Sequence, residues 1–226
     1  MQIIEIYRSI QGESSFAGLP CIFVRLAACN LRCTWCDSEY TFTGGTKMTA
    51  AEVEQNVAAL APGGLVEFTG GEPMLQEREL LPLMEQLLTR GYRLLLETSG
   101  ERPLERVPPA IHKIIDVKCP GSGEAGSFCM SNLRTLTRND EVKFVLADRT
   151  DYDFARDFTR EHGLLNNVNS VIFSPAFEKN PSTQRDASNC LLDPQVLAEW
   201  ILEDKIDVRL GLQIHKFIWE PATKGV

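Results

Sequence analysis

The sequence predicts an α/β fold, an incomplete TIM-like barrel with mainly parallel strands. Strand-like segments alternate with helical ones along most of the 226 residues, which is the pattern of β-α-β units. Polar and glycine-rich segments follow the ends of several predicted strands, where barrel-like folds carry their active sites. Two stretches, 99–110 and 119–139, lack the helical pattern that a complete barrel needs there. We therefore expect the barrel to be open.

The predicted elements follow one another in a regular order. Each strand is a short apolar or β-branched run bounded by turn residues, and the strands are 3–8, 21–26, 65–69, 93–98, 113–118, 141–146, 170–174 and 208–213. A turn-rich loop covers 9–20. The helices are marked by an apolar face or by a residue typical of a helix start, such as Thr49 with Glu52 in a capping box, and cover 49–61, 77–90, 151–161 and 193–203.

Composition and charge indicate a globular protein with a single domain, residues 1–226. The apolar content of 43% and charged content of 24% are ordinary for such a chain. The net charge of −8 argues against a nucleic-acid partner, because nucleic-acid binders carry a basic face. The chain begins with strand-like sequence instead of a signal peptide, and no apolar run is long enough for a membrane span. We expect a cytoplasmic protein with reduced thiols and no membrane partner.

Three cysteines stand close together directly after the strand 21–26. Cys29, Cys33 and Cys36 have the spacing C-x3-C-x2-C, so their thiolates can converge on one metal centre. An ordinary 4Fe-4S cluster takes four cysteine ligands. Three cysteines therefore suit a 4Fe-4S cluster with one iron left open for a small molecule.

A structural zinc site is the alternative interpretation of the cysteine loop. Zinc in such sites takes four protein ligands, so a distant residue such as Cys119, His112 or His215 would complete it. The aromatic Trp35 and the apolar Leu31 favour the cluster, because they would shield it from water and help to set its potential.

A second motif, Thr69-Gly70-Gly71-Glu72-Pro73, follows the strand 65–69. Two glycines allow a ligand to approach the backbone closely, and Glu72 could accept hydrogen bonds from an ammonium group. Taken alone, the motif is better explained as a strand-to-helix turn with an ordinary surface glutamate.

Together the two motifs resemble the radical S-adenosylmethionine (SAM) superfamily, whose partial barrel carries C-x3-C-x2-C after its first strand. Further segments narrow the resemblance to the 7-carboxy-7-deazaguanine synthase family. These segments cover nearly the whole chain and are Ser9–Glu13, Cys36–Ser38, Thr69–Gln76, Glu97–Gly100, Asp116–Pro120 and Gln213–Phe217.

The resemblance implies a carbon–nitrogen lyase of queuosine and 7-deazaguanine biosynthesis. In that reaction 6-carboxy-5,6,7,8-tetrahydropterin becomes 7-carboxy-7-deazaguanine by ring contraction with release of ammonia. SAM on the open iron is cleaved by an electron from the cluster, and the resulting 5′-deoxyadenosyl radical abstracts hydrogen from the substrate. The implied cofactors are a 4Fe-4S cluster, SAM and Mg²⁺. The implied partners are the pterin, an electron donor such as a flavodoxin or ferredoxin, and a second copy in a homodimer.

Carried over position by position, the resemblance also implies which residues bind each group. The cluster ligands, and thus the catalytic residues, are Cys29, Cys33 and Cys36. The residues implied to bind SAM are Trp35, Cys36, Asp37, Gly71, Glu72, Asp116, Val117, Lys118, Ser174, Pro175, Ala176 and Phe177. Those implied to bind the pterin are Ile10, Gln11, Gly12, Glu13, Arg25, Thr69, His215 and Pro221, and Ser38 is implied to bind Mg²⁺.

Some of these residues have structural interpretations as well. Arg25 interrupts an apolar strand; a substrate carboxylate could pair with it bidentately, and the alternative is an arginine tied to a structural acid. Asp116 is alternatively a buried structural acid. His215 is a candidate only because the surrounding Gln-x-His-Lys-Phe matches, whereas His112 is interpreted as structural. Glu97 is a further polar candidate.

The chain departs from the family pattern at three places. Ser14 replaces the common glycine after Gln-Gly-Glu, and Ser38 stands where threonine is frequent. The chain continues past Pro221, so no terminal carboxylate is available at that residue. Two other functions stay open: another small radical SAM enzyme, such as a glycyl-radical activase, and a non-enzymatic zinc module.

Overall fold

The computed structural model describes residues 1–226 and contains one nine-stranded sheet. The strands are β1 (Gln2–Ile10), β2 (Pro20–Leu26), β3 (Thr46–Lys47), β4 (Leu65–Gly70), β5 (Arg93–Thr98), β6 (His112–Asp116), β7 (Glu141–Leu146), β8 (Ser170–Pro175) and β9 (Arg209–Leu210). Their order across the sheet is β3-β1-β2-β4-β5-β6-β7-β8-β9. β1 is antiparallel to β2 and β3, and all other neighbours are parallel. Because β3 and β9 do not pair, the barrel is open, as the sequence predicts.

The helices are α1 (Ala50–Leu60), α2 (Glu77–Thr89), α3 (Arg149–Glu161), α4 (Leu164–Asn167), α5 (Pro194–Asp204) and α6 (His215–Ile218). Thr49 and Glu52 form the predicted capping box at the start of α1. No α-helix lies between β5 and β6 or between β6 and β7. This confirms the prediction that the stretches 99–110 and 119–139 lack an α-helix. No helix combines the length and the apolar character that crossing a membrane requires.

The C-terminal strand is much shorter than predicted. β9 consists of Arg209–Leu210 alone instead of 208–213, because it lies at the edge of the sheet and pairs only with β8. The Gly211 N–H still donates to the Phe173 carbonyl at 2.8 Å. The chain then leaves the sheet, and the side chain of Gln213 contacts the cavity described below.

Other predicted bounds differ by a few residues. β6 ends at Asp116 instead of residue 118, so Val117 and Lys118 lie just beyond the strand. α3 begins at Arg149 because the carboxylate of Asp148 caps its first turn. β1 continues to Ile10, since it pairs with β2 over its whole second half.

Two apolar cores lie on opposite faces of the sheet. The larger, of 38 buried residues, packs the outer face against the helices. The smaller fills the amino-terminal end of the inner face and consists of Cys21, Phe23, Leu65, Leu95 and Ile114. Side chains of a strand alternate between its two faces, so the next inward residues on β4, β5 and β6 are Glu67, Glu97 and Asp116, which line a cavity. The inner face is thus apolar at one end and polar at the end where the site lies.

Candidate active site

A cavity of about 430 Å³ lies within the curved sheet, at the carboxyl ends of the parallel strands. This is the edge where the sequence predicts the active site. Most of the candidate residues line it, namely Ile10, Gln11, Gly12, Glu13, Arg25, Cys29, Cys33, Trp35, Cys36, Asp37, Ser38, Thr69, Gly71, Asp116, Lys118, Phe177, His215 and Pro221. The fold therefore brings together residues from both ends of the chain.

The cysteine loop is fastened to its neighbours by backbone hydrogen bonds. The Ala28 N–H donates to the Thr41 carbonyl at 2.8 Å, and the Thr34 N–H donates to the Ser122 carbonyl at 2.9 Å. Gly71 lies so close to the loop that a Cβ there would stand 2.2 Å from the Ala28 carbonyl oxygen. Only glycine fits at that contact, so the turn at Gly70–Gly71 packs directly against the start of the cysteine loop.

The donor set fits an iron–sulfur cluster better than a single metal ion. Cys29, Cys33 and Cys36 are free, half-buried thiols on one cavity wall. Burial raises the pKa of Cys33 to about 11, although Lys118 opposes the shift; a bound metal would replace that proton. No three His, Cys, Asp or Glu side chains converge closely enough to hold one metal ion. A cluster tolerates the wider spacing because its irons occupy separate corners.

Two of the three distant residues suggested as a fourth zinc ligand are engaged elsewhere. His112 faces Glu141, with Nε2 3.1 Å from Oε1. Cys119 is buried, and its thiol points to the Val117 carbonyl at 3.9 Å. The third, His215, lies on the cavity wall, but no three metal-binding side chains lie close enough together to hold one zinc ion.

Glu72 is buried, which excludes the interpretation as an ordinary surface residue. Its Oε1 accepts from the Met74 N–H at 3.0 Å and the Thr98 hydroxyl at 2.7 Å. Its Oε2 accepts from the Ser99 N–H at 2.9 Å and the Ser99 hydroxyl at 2.7 Å. Burial raises the pKa of Glu72, while these donors oppose the increase. The carboxylate is fully used in shaping the turn and is absent from the cavity wall.

Arg25 lines the cavity but is already paired with a structural acid. Its Nε lies 2.8 Å from Glu5 Oε1, and its Nη2 donates to the Tyr7 hydroxyl at 2.9 Å. Tyr40 also donates to Glu5 Oε1, at 2.8 Å. In this structure Arg25 is therefore tied to a structural acid, as the alternative interpretation expects. Of its three guanidinium nitrogens, only Nη1 has no hydrogen-bond partner in the protein.

Ser38 and Asp37 provide oxygen atoms near the cysteines. The Ser38 hydroxyl donates to Asp37 Oδ1 at 2.9 Å, and Lys216 Nζ lies 2.8 Å from Asp37 Oδ2. Burial alone would raise the pKa of Asp37, but Lys216 and Ser38 lower it well below its usual range. Such hard oxygen donors fit Mg²⁺, which takes one or two protein ligands and fills its shell with substrate oxygens and water.

His215 packs directly on the loop that contains Gly12. A Cβ at Gly12 would stand 2.2 Å from His215 Nδ1, and the Ile214 N–H donates to the Gly12 carbonyl at 2.9 Å. Burial lowers the pKa of His215, although the nearby Glu13 opposes this shift. The ring is therefore neutral at physiological pH and faces the cavity.

Five predicted residues do not line the cavity. Glu72 is described above, and the others are Val117, Ser174, Pro175 and Ala176, all buried. In this structure they support the strand ends behind the wall, and their contact with SAM stays a prediction. Phe177 alone of the segment 174–177 reaches the wall.

Two charged residues on the cavity wall, Glu67 and Lys143, were not among the predicted site residues. Gln11 Nε2 donates to Glu67 Oε2 at 2.8 Å. Burial raises the pKa of Glu67 well above its usual value, and the neighbouring Glu97 adds to the increase. Both missed residues interrupt apolar strands, the signal that did identify Arg25.

Comparisons with known proteins show the family and the fold to which the chain is similar. The radical SAM superfamily model matches residues 24–117. A 7-carboxy-7-deazaguanine synthase of Koribacter versatilis is 69% identical over 226 residues, covering 100% of both chains. One from Chlorobaculum tepidum is 44% identical, covering 100% of this chain and 97% of the relative. The crystal structure of QueE from Escherichia coli has a TM-score of 0.65 at 21% identity and covers 93% of each chain, which supports the fold alone.

Proposed function

Since the chain belongs to the 7-carboxy-7-deazaguanine synthase family of radical SAM enzymes, we propose how its cavity carries out that reaction. The substrate is 6-carboxy-5,6,7,8-tetrahydropterin and the product is 7-carboxy-7-deazaguanine, formed with release of ammonia. The observation that carries the proposal is one cavity lined by the three cysteines, the loop 10–13 and the strand-end residue Thr69.

Cys29, Cys33 and Cys36 would hold the 4Fe-4S cluster through their thiolates. The reduced cluster would supply one electron, and SAM, cleaved by it to methionine, would supply the carbon radical able to abstract hydrogen. Lys118 stabilises the thiolate of Cys33 electrostatically. Trp35 lies on the same wall and keeps water from the loop.

SAM would lie between the cysteine loop and the strand ends. The backbone of Gly71 permits close approach, and Glu72 fixes that turn through Thr98 and Ser99. Its role is thus one of positioning. Asp37, Asp116, Lys118 and Phe177, also on the wall, are the side chains we assign to SAM, with its adenosine beside the last three.

The pterin would lie against the loop 10–13. Gln11 is held by Glu67. Glu13 stays ionised because Lys143, joined in acid by the protonated His215, outweighs the effect of burial and lowers the pKa of Glu13 to about 2. A carboxylate of this kind accepts hydrogen bonds from pterin N–H groups. His215, being neutral, can accept a proton from the bound substrate.

The carboxylate of the pterin would bind to the Arg25 guanidinium and to Mg²⁺. Nη1 of Arg25 is available to it on the cavity wall, and Ser38 Oγ, held by Asp37, offers an oxygen ligand to the metal. Thr69 and Pro221 also line the cavity, and we assign both to substrate contact.

We further propose a single-domain enzyme that works as a homodimer in the cytoplasm, with a flavodoxin or ferredoxin as electron donor. Family resemblance supports the dimer and the donor. The seven free cysteines support a reducing compartment.

Anaerobic reconstitution followed by turnover tests this function. The protein is loaded with iron and sulfide, reduced, and incubated with SAM, Mg²⁺ and 6-carboxy-5,6,7,8-tetrahydropterin. We expect 7-carboxy-7-deazaguanine and ammonia in equal amounts, detected by mass spectrometry and an ammonia assay. SAM cleavage without deazaguanine would contradict the substrate, and a colourless protein that binds zinc but no iron would contradict the whole assignment.

A further inference from the structure

Lys143 is a buried cation that joins several carboxylates at the floor of the cavity. It lies on β7, and its side chain is only 4% exposed. Nζ lies 2.6 Å from Glu13 Oε2, 2.5 Å from Glu97 Oε1 and 3.7 Å from Asp116 Oδ2. Charges removed from water require such partners, so the position of the ammonium group is determined by these three acids.

The two ends of this network belong to different parts of the site. Glu13 lies on the loop 10–13, and its Oε1 accepts from Gln213 Nε2 at 2.9 Å. Asp116 ends β6 and pairs with Lys118, Oδ2 to Nζ, at 2.9 Å. Lys143 therefore connects the region assigned to the pterin with the region assigned to SAM.

The backbone of Lys143 makes the same connection. Its carbonyl accepts a hydrogen bond from the Val117 N–H at 2.9 Å. Val117 lies between Asp116 and Lys118, so the strand end on the SAM side is held by both the backbone and the side chain of one residue.

A ligand at one end must redistribute the charge at the other. A pterin N–H that binds Glu13 weakens the attraction between Glu13 and Lys143. The ammonium group then pairs more strongly with Glu97 and Asp116, because water cannot reach it to compensate. A more firmly held Asp116 leaves the SAM region better ordered.

We propose that Lys143 is a positioning residue that couples pterin binding to SAM binding, because it holds Glu13 and Asp116 on one buried cation. The inference rests on the proposed function, since it requires both ligands to occupy this cavity. Coupling of this kind is reciprocal: each ligand tightens the binding of the other by the same factor.

The test measures the dissociation constant of SAM by calorimetry, with and without saturating 6-carboxy-5,6,7,8-tetrahydropterin. The anaerobic, cluster-loaded protein is left unreduced so that no turnover occurs. Lys143→Met removes the charge and keeps the length of the side chain, and Lys143→Arg keeps the charge. Lys113→Met is the matched control: Lys113 is an equally buried lysine, paired with Asp140 at 2.9 Å, and is absent from the cavity wall.

In the unmodified protein we expect the pterin to tighten SAM binding on the order of tenfold. Lys143→Met should lose this coupling and bind the pterin more weakly, Lys143→Arg should keep part of it, and Lys113→Met should keep all of it. A folded Lys143→Met protein with unchanged coupling would overturn the inference. If Lys143→Met does not fold, the double variant Lys143→Met/Glu97→Gln replaces it, because it removes one carboxylate together with the cation. Unchanged coupling in the folded double variant would likewise overturn the inference. Pterin binding without coupling in the unmodified protein would overturn this inference alone, whereas no pterin binding would overturn the proposed function as well.

Discussion

At the scale of single residues, the cavity is organised by charges that face inward from strands. Arg25, Glu67, Glu97 and Lys143 each interrupt an apolar run. A charge at such a position needs a partner or must become neutral. Arg25 and Lys143 have carboxylate partners, whereas burial beside another acid raises the pKa of Glu67 well above its usual value and favours the protonated form.

Replacement of a single cluster ligand should abolish the cofactor and leave the fold intact. For Cys33→Ala we expect loss of bound iron, of the visible absorbance and of activity, because three thiolates are needed to hold the cluster. Cys129→Ala is the control, since Cys129 is also a half-buried free thiol but does not line the cavity. Iron content, absorbance and circular dichroism are measured for both variants. Retained turnover in Cys33→Ala would show that the ligand assignment is wrong.

The pairing of Glu13 makes the stability of the protein depend on pH in the acid range. Burial would raise the pKa of Glu13, but Lys143 and His215 lower it from its ordinary value of 4.5 to about 2. A folded-state pKa below the unfolded value stabilises the fold above pH 4.5, and this contribution is lost as the pH falls towards 2.

We therefore expect Glu13→Gln to be less stable than the unmodified protein at pH 7, with the difference shrinking between pH 4.5 and pH 2. Urea unfolding at a series of pH values measures it. Glu203→Gln, at an exposed position of α5, is the comparison and should show no such change with pH. A stability difference that does not change with pH would argue against the ion pair.

At the scale of elements, the loop between β1 and β2 is held at the amino-terminal end of the inner face. Ser15 donates to the buried carboxylate of Glu141 through its backbone N–H, at 3.0 Å, and through its hydroxyl. The Phe16 ring packs edge-on against His112, with ring centroids 4.8 Å apart, and the Arg93 guanidinium lies 5.2 Å from the Phe16 centroid. These contacts determine where residues 10–13 lie.

Loosening this anchor should impair substrate binding selectively. For Ser15→Ala we expect the KM for the pterin to rise roughly tenfold, since hydrogen bonds to charged groups contribute about 1.5–3 kcal/mol, with little change in the affinity for SAM. Thr159→Ala removes another buried hydroxyl, which bonds the Ala155 carbonyl within α3, and should leave both values unchanged. Steady-state kinetics and SAM titration measure them. An equal loss for both ligands would indicate a general structural role for Ser15.

At the scale of the whole molecule, an open sheet separates the site from the main core. The outer core of 38 residues packs against the helices, while the small inner core supports the floor of the cavity. The cysteine loop belongs to neither, since it is attached by hydrogen bonds to neighbouring loops. Stability and cofactor binding therefore reside in different parts of the structure.

Removal of iron by a chelator should leave the fold in place. We expect the far-ultraviolet circular dichroism to be unchanged and Tm to fall only by what is expected from the loss of a bound ligand. Small zinc domains behave differently, because their metal replaces the core and its removal unfolds them. Thermal melts of the loaded and the chelated protein measure this. Cooperative unfolding on chelation would contradict the separation of core and site.

The sequence by itself determined most of the elements and their class, because apolar periodicity, caps and turn residues act locally. Thr49 with Glu52, and the breaks at 99–110 and 119–139, are examples. It also determined the family, since the motifs keep their spacing along the chain. The length of β9 was predicted wrongly, because the extent of an edge strand depends on its only neighbour.

Only the tertiary structure decided how the side chains of the site are paired. Arg25 contacts Glu5, Lys143 joins Glu13 to Glu97, and Ser15 contacts Glu141 across 126 positions of the chain. Such pairings depend on the order of the strands in the sheet and on which face of each strand points inward. The local sequence pattern predicts neither the strand order nor the inward face. The physical reason is that burial makes each charge depend on distant partners, whereas helix and strand formation depends on near ones.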